Sequence, residues 1–438
     1  MSVRIGIRHE DKYKAERRTP LIPRHVEGFI REQGLEVLVQ QSPKRIFTDE
    51  EYKAAGATLV PDMKEAGIIF GVKEIPIEML EPRKTYVFFS HVIKGQPYNM
   101  PMLRKLMELG CSLIDYEKIT DGLGKRLIFF GRFAGLAGAI NTLWTLGLRL
   151  KYYGYETPFL HLKQARHYHN LEEARSAISK VGFEIAAHGF SEELSPFTIG
   201  ITGYGNVSGG VQEILSLLPS QEISPEDLLS LKATGRYQNN LVYRVIFKEE
   251  HISAPNNSGH AFDLEDYYRH PENYHGIFEQ YLPYLSVLIN GMYWDERYPK
   301  ILTREYMLRH HGAGARPKLL VVGDITCDPN GSVEATLAGT EPDDPIYVYN
   351  PEKHEINYGY EGEGLQVMAV DILPSELPRD SSIAFSTMLR PFVKAIAHAN
   401  YEAENPDEAG LPAPIRRALI LYRGKLTPEY NYLMQYLK

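Results

Sequence analysis

Cysteine is nearly absent from this chain, with two residues in 438, Cys111 and Cys327, and no CxxC pair. That excludes a disulfide framework and a cysteine-built zinc site, and it suits a reducing compartment. An excess of basic charge is also lacking: the net charge of -8 argues against a nucleic-acid or anionic-membrane partner. Long apolar runs are missing too. The most membrane-like stretch, "FAGLAGAINTLWTLGL" from Phe133 to Leu148, is short for a span, contains Asn141 and is bracketed by Arg132 and Arg149, so it reads as a buried helix. The opening "MSVRIGIRHEDK" enters an apolar strand pattern directly, with no signal-peptide or transit-peptide pattern, so the expected location is cytoplasmic. His167-x-His169 and His310-His311 lack a carboxylate or cysteine partner at a recognised metal spacing. They are expected in surface or loop roles, and no metal is expected.

What is present is enough apolar material, 43% of the chain, for two domains. The first part alternates short β-rich runs ("VRIGIR", "LEVLVQ", "AGIIFGVK", "TYVFFSH", "CSLIDYE") with amphipathic helices ("PRHVEGFIREQG", "DEEYKAAGA", "MPMLRKLMELG"). That pattern predicts an α/β domain with a parallel-type sheet covered on both faces. It carries no glycine fingerprint between its first strand and helix. A long helix, "GRFAGLAGAINTLWTLGLRLKYYG", follows, with small residues suited to close packing between two bodies. A second α/β series begins after it. From Glu222 to Ser286 the pattern loosens, and "SAPNNSGHAFDLEDYYRHPENYHG" reads as an inserted surface loop near residues 250–275. Near the end, "LPRDSSIAFSTMLRPFVKAIAHANYEAE" predicts an amphipathic helix preceded by Pro378, with Asp380 or Ser381 as N-cap.

The second series opens on "FTIGITGYGNVSGGVQEIL", an apolar strand, a glycine turn and a helix. Gly203 permits the tight turn and Gly205 lets the backbone approach a pyrophosphate, which would rest at the helix N-terminus beside Asn206 and Val207. Ser208 stands where a third glycine is usual. A ribose would be read at the end of the second strand, about 20 residues on. Aligning "QEISPEDL" there ends the strand at Ser224, with Glu222 just before it. The lack of an acidic residue at that end favours NADP, with NAD still open.

Taken in order, "ERRTPLIP", "GVKEIP", "YVFFSHVIKGQ", "LIDYE", "FFGRFAGLAGAI", "ITGYGNVSGGVQEI", "LINGMYW", "GDITCDPNGSVE" and "DILPSELPRD" run along essentially the whole chain. This set resembles the lysine–2-oxoglutarate reductase family, the lysine-forming saccharopine dehydrogenases, and specifically the reductase half of the bifunctional aminoadipic semialdehyde synthase. More distantly it is similar to alanine dehydrogenase and the nucleotide-binding subunit of transhydrogenase. The resemblance implies two Rossmann-like domains with a cleft between them. The substrate domain would comprise residues 1–133 and 376–438, with the NAD(P)-binding domain, 134–375, inserted into it. It implies condensation of L-lysine with 2-oxoglutarate and reduction of the imine by NAD(P)H to saccharopine, in lysine degradation, without the glutamate-forming half of the bifunctional enzyme. Partners would be small molecules, and a homo-oligomer is compatible with the pattern. An opine-type or other amino-acid dehydrogenase, and a non-catalytic nucleotide-binding regulator, stay open.

That chemistry needs a base for an amine whose free pKa is about 10.4, an acid to expel water from the carbinolamine, and guanidinium forks for carboxylates. The resemblance assigns the acid–base roles to Lys73 and His91, each at a strand end. Arg18 matches a substrate-carboxylate arginine and is favoured over Arg17. Glu16, two residues earlier, shares its face if the segment is extended. Glu117 would tune or receive the lysine amine, and Arg126 would hold a carboxylate. Asp328 resembles the aspartate that faces the nicotinamide in alanine dehydrogenases, with Asp324 competing, and Asp371 in "DILPSELPRD" is a further cofactor candidate.

Overall fold

The computed structural model describes residues 4–312, 314 and 316–437. The alternating pattern of the first part builds, in chain order, β1 (Arg4–Ile7), α1 (Pro23–Gln33), β2 (Glu36–Gln40), α2 (Asp49–Ala54), β3 (Thr58–Val60), β4 (Ile68–Phe70), β5 (Thr85–Phe88), α3 (Met100–Glu108) and β6 (Ser112–Asp115). Local chemistry sets the helix ends. Pro23 occupies the first position of α1, where its missing N–H has no partner to lose, and Gly34 closes that helix at φ 67°. Thr48 and Glu51 form a reciprocal capping box at the start of α2. The strands pair in the order β3-β2-β1-β4-β5-β6, all parallel.

Residues 131–377 form a second compact unit, and the first unit resumes at Pro378. The second unit contains α4 (Gly131–Tyr152), α5 (Leu171–His188), β7 (Phe197–Thr202), α6 (Asn206–Leu215), β8 (Ser220–Glu222), α7 (Pro225–Thr234) and β9 (Val242–Phe247). Next come α8 (Glu249–Ile252), β10 (Ser253–Pro255), α9 (Leu264–Arg269), β11 (Tyr274–Gly276), β12 (Val287–Asn290), α10 (Arg304–His310), β13 (Val321–Asp324), β14 (Ile346–Asn350), β15 (Glu355–Tyr358) and β16 (Leu365–Met368). Its sheet runs β15-β14-β16-β13-β12-β7-β9-β8, with β14 antiparallel to both of its neighbours, β15 and β16, and every other pair parallel. The chain then adds α11 (Pro378–His398), α12 (Ala413–Arg417), β17 (Leu419–Tyr422) and β18 (Lys425–Leu426) to the first unit, where β17 pairs antiparallel with β6 and β18 with β17.

Four sequence expectations are revised. The strand after α6 ends at Glu222, and Ser224 is the N-cap of α7, its hydroxyl accepting from the Asp227 amide at 3.0 Å. That strand, β8, is not the neighbour of β7; β9 is, paired over its full length from Phe197↔Val242 to Thr202↔Phe247. The reason is burial: β8 is three residues, Ser-Gln-Glu, mostly exposed, whereas β9 is six, Val-Tyr-Arg-Val-Ile-Phe, mostly buried, so the short polar strand takes the edge. The expected surface loop is an ordered excursion, with β10 and β11 pairing antiparallel around α9 and burying Tyr267 and Tyr274. The helix of the tail starts at Pro378 itself, so Asp380 and Ser381 lie in its first turn rather than capping it.

The fourth concerns α4. Its small residues serve packing inside the second unit: a Cβ on Gly135 would lie 2.0 Å from the Val207 carbonyl oxygen, and one on Gly210 would lie 2.2 Å from that of Arg132. Gly210, not Ser208, thus provides the close approach expected of the third glycine. No helix among the described residues is long and apolar enough to cross a membrane.

Candidate active site

In an open parallel sheet, a crevice forms at the C-terminal ends of strands where the strand order reverses. In the first unit that point lies between β1 and β4. The segments leaving β1, β4, β5 and β6 carry Glu10–Arg18, Lys73–Glu74, Ser90–His91 and Glu117. Backbone bonds to buried carboxylates fix these segments. Glu10 accepts from the amides of Val72 (2.7 Å) and Lys73 (2.9 Å), pinning the turn after β4. Asp115 accepts from the Ser90 amide (3.1 Å), the Ser90 hydroxyl and the Glu117 amide (2.7 Å), pinning the turns after β5 and β6 together. From α11, the Ser382 and Ser386 hydroxyls accept from the Thr19 and Ile22 amides, each at 3.0 Å, and so anchor the segment holding Arg18.

Two charged groupings result. Glu16 and Arg18 share one face, as an extended segment requires: Arg18 Nε donates to Glu16 Oε1 (2.8 Å) and Nη2 to Oε2 (2.5 Å), with the guanidinium over the Phe130 ring at 4.3 Å. Both side chains are buried, at 0% and 2% exposure, while Arg17 is exposed and donates to the Lys44 carbonyl. Burial opposes ionisation of Glu16, but the charge and hydrogen bonds of Arg18 hold its carboxyl below the usual range. Burial, reinforced by Arg18, pulls the Lys73 ammonium down, against Glu74 and Glu16. In the second grouping, Glu74 bonds with His91 Nδ1 (2.7 Å) and Lys12 Nζ (2.8 Å). His91 holds a left-handed backbone, φ 49°, unusual for a residue with a Cβ. Burial works against the Glu74 carboxylate, yet His91 and Lys12 bring its pKa to about 2.

The structure brings Glu117 and Arg126 into a pair with each other, Arg126 being half exposed. Glu10, Lys12 and Glu74 were not singled out from the sequence. Glu74 lies beside Lys73 in "GVKEIP", where a second charge after an apolar strand was the available signal. Glu10 is buried, which pushes its carboxyl up to about 7, with Arg8 opposing. Nothing local in "RHEDK" marks it.

In the second unit the strand order reverses between β7 and β12, and the glycine turn leaves β7 at that point. Gly203 has φ 86°, which favours glycine, and a Cβ there would lie 3.2 Å from Met292 Cα. Gly205 is the N-cap of α6, with no side-chain cap bond and no acidic residue in the first turn, and a Cβ on it would enter open space. Free amides, a dipole and an unfilled cradle fit a dinucleotide pyrophosphate. Asn206 is exposed, and Val207 is half-buried against Gly291. Asp324 is buried, accepting from Asn290 (2.9 Å), Thr326 (2.7 Å) and Thr336 (2.5 Å). Asp328 is exposed on the following turn, where Cys327 and Asn330 both have left-handed backbone. The exposed Asp371 receives a 3.7 Å bond from the Cys327 thiol. Ser224, beyond the edge strand, is not among the groups at the strand-order reversal.

His311, expected in a surface or loop role, lies in the bend that ends α10 but not at the surface. It is buried, bonded through Nε2 to the Leu319 carbonyl at 3.2 Å, and burial lowers its imidazole to about 4. Among the described residues, no three His, Cys, Asp or Glu side chains are grouped to hold a metal ion.

Comparison with known proteins places the chain. The alanine dehydrogenase/PNT N-terminal domain matches residues 6–137. Alpha-aminoadipic semialdehyde synthase of Arabidopsis thaliana is 38% identical over 444 residues, which cover 98% of this chain and 41% of that protein. The chain thus spans about two fifths of the length of this relative. Saccharopine dehydrogenase [NAD(+), L-lysine-forming] of Emericella nidulans is 26% identical over 89% of this chain and 91% of its own. A solved L-alanine dehydrogenase, 18% identical, shares the fold with a TM-score of 0.63 over 100% of both chains. Homology over nearly the whole chain and the two-sheet fold lead to one conclusion: the chain is homologous to one portion of the alpha-aminoadipic semialdehyde synthases, carries an alanine dehydrogenase/PNT N-terminal domain over residues 6–137, and shares its fold with L-alanine dehydrogenase.

Proposed function

We propose that this chain is a lysine–2-oxoglutarate reductase. The ε-amine nitrogen of L-lysine adds to the ketone carbon of 2-oxoglutarate, water leaves, and the imine is reduced to saccharopine. When bound, a nicotinamide dinucleotide supplies the hydride. The observation that carries the reading is Lys73, half-buried next to the Arg18–Glu16 pair at a strand-order reversal, in a chain homologous to the synthases. A lysine whose ammonium is disfavoured there offers a neutral amine that can take the proton from the substrate's amine. Arg18 already spends Nε and Nη2 on Glu16, so its main effect is the positive charge that depresses Lys73. Arg126, half exposed, keeps donors for a substrate carboxylate. His91, oriented by Glu74, delivers the proton on which water departs.

In the second unit the amides at Gly205–Val207 would hold the pyrophosphate, and the exposed Asp328 and Asp371 would face the nicotinamide end. The two cysteines, neither in a disulfide, fit a cytoplasmic setting.

The test is nicotinamide oxidation by the purified protein with lysine and 2-oxoglutarate, each omitted in turn, and with alanine and pyruvate as substitutes. Turnover should need lysine and 2-oxoglutarate together and disappear in Lys73→Met. Turnover with alanine and pyruvate but not with that pair would refute the substrate assignment.

A further inference from the structure

The residue that reads the adenosine ribose sits at the end of the strand next to the glycine-turn strand, because that end lies beside the bound pyrophosphate. Here that neighbour is β9, which ends at Phe247 with its carbonyl accepting from the Gly203 amide at 2.9 Å. Lys248 and Glu249 follow. Both line a cavity of about 290 Å³ with Tyr204 and Gly205 of the turn, Met292 after β12, and Tyr268 of the ordered excursion. Glu249 is clamped there. Tyr268 donates to its Oε1 at 2.6 Å and Tyr204 to the same oxygen at 3.5 Å, while Oε2 carries no hydrogen bond and no cation pairs with the carboxylate among the described residues.

Resting on the dinucleotide reading above, we infer that Glu249 is the ribose-reading residue of this chain and selects NAD(H) over NADP(H), with Tyr268 as a positioning residue supplied by the excursion. A carboxylate with an unused oxygen suits a diol, whose two hydroxyls donate. A 2′-phosphate in the same place would meet a like charge, with Lys248 as the one cation and no arginine among the described lining residues. Glu222 and Ser224, on the far side of β9, take no part. The preference expected from the end of "QEIS" therefore reverses, and the excursion has a purpose: α9 carries Tyr268 to the carboxylate.

Direct binding of NADH and NADPH, measured by calorimetry on the whole chain without substrates, tests this apart from turnover. The wild type should bind NADH at least about tenfold tighter than NADPH, a like-charge penalty of ordinary size. Glu249→Arg should invert that ratio and Glu249→Gln should bring it near one. Tyr268→Phe should lower it, and Glu222→Gln should leave it as in the wild type. If Glu249→Arg binds neither dinucleotide, the ratio in Glu249→Gln decides. A wild type that favours NADPH, with the preference lost in Lys248→Ala, overturns the inference, as does a ratio unmoved in both Glu249 variants. Absence of binding to either dinucleotide overturns it together with the dinucleotide reading. Selective NADH binding that depends on Glu249, without turnover of lysine and 2-oxoglutarate, sustains the inference and sinks only the substrate assignment.

Discussion

Replacing Glu74 with Gln tests the electrostatics of the first unit with little change in shape. The Glu74 carboxyl has a pKa of about 2 against an ordinary 4.5. Each unit of displacement is worth about 1.4 kcal/mol, so its interactions with His91 and Lys12 contribute at most about 3 kcal/mol. Because the folded pKa is depressed, that contribution is fully present above pH 4.5 and is lost as the pH falls toward 2. At pH 7 the variant should therefore be less stable by up to about 3 kcal/mol, and at pH 3 by only about 1.4 kcal/mol. Urea unfolding should be followed by far-UV circular dichroism, since both tryptophans, Trp144 and Trp294, lie in the second unit. The same substitution removes a charge that holds the Lys73 ammonium up, so the acid limb of kcat/KM should move to lower pH. An equal loss of stability at both pH values would refute the reasoning, since it would trace the loss to packing rather than to the ionised carboxylate.

Three further perturbations probe the second unit. Gly135→Ala places a methyl 2.0 Å from the Val207 carbonyl oxygen, and backbone cannot yield as a side chain can, so a loss of about 3 kcal/mol is expected; an unchanged melting temperature would contradict it. Arg149 is fully buried and donates to the carbonyls of Tyr360, Gly362 and Gly364 and to the Tyr153 hydroxyl. Arg149→Met should cost about 3 to 5 kcal/mol in denaturant unfolding, and a loss below about 1 kcal/mol would show those carbonyls finding other partners. Glu376 is buried, which pushes its carboxyl up to about 7 despite bonds from Asn141 and Gln164. A raised folded pKa means stability falls as pH rises from 4.5 toward 7, so Glu376→Gln should gain about 2 kcal/mol relative to wild type between pH 5 and pH 8. A relative stability that does not change with pH would rule out this ionisation.

What the sequence could show of the site depended on how far each residue's role is local. Extended backbone puts side chains two apart on one face, which is enough to pair Glu16 with Arg18 and to turn Arg17 outward. Apolar strands that end in a polar residue mark Lys73 and His91, because the C-terminal ends of parallel strands must leave the sheet somewhere. Glu10 had no such mark: its value comes from reaching the amides of Val72 and Lys73, more than sixty residues on. The glycine turn was legible from Gly203 and Gly205, but counting about 20 residues to the ribose reader assumes that the next strand in the chain is the next strand in the sheet. Here it is not, and composition carried the sign of it. Three polar residues cannot occupy an interior position that six mostly buried ones, Val242–Phe247, can fill, so burial and not sequence order decides which strand lies beside β7. Since the ribose reader is fixed by adjacency, the exchange of β8 and β9 moves that role from Ser224 to Glu249, and the expected cofactor changes with it.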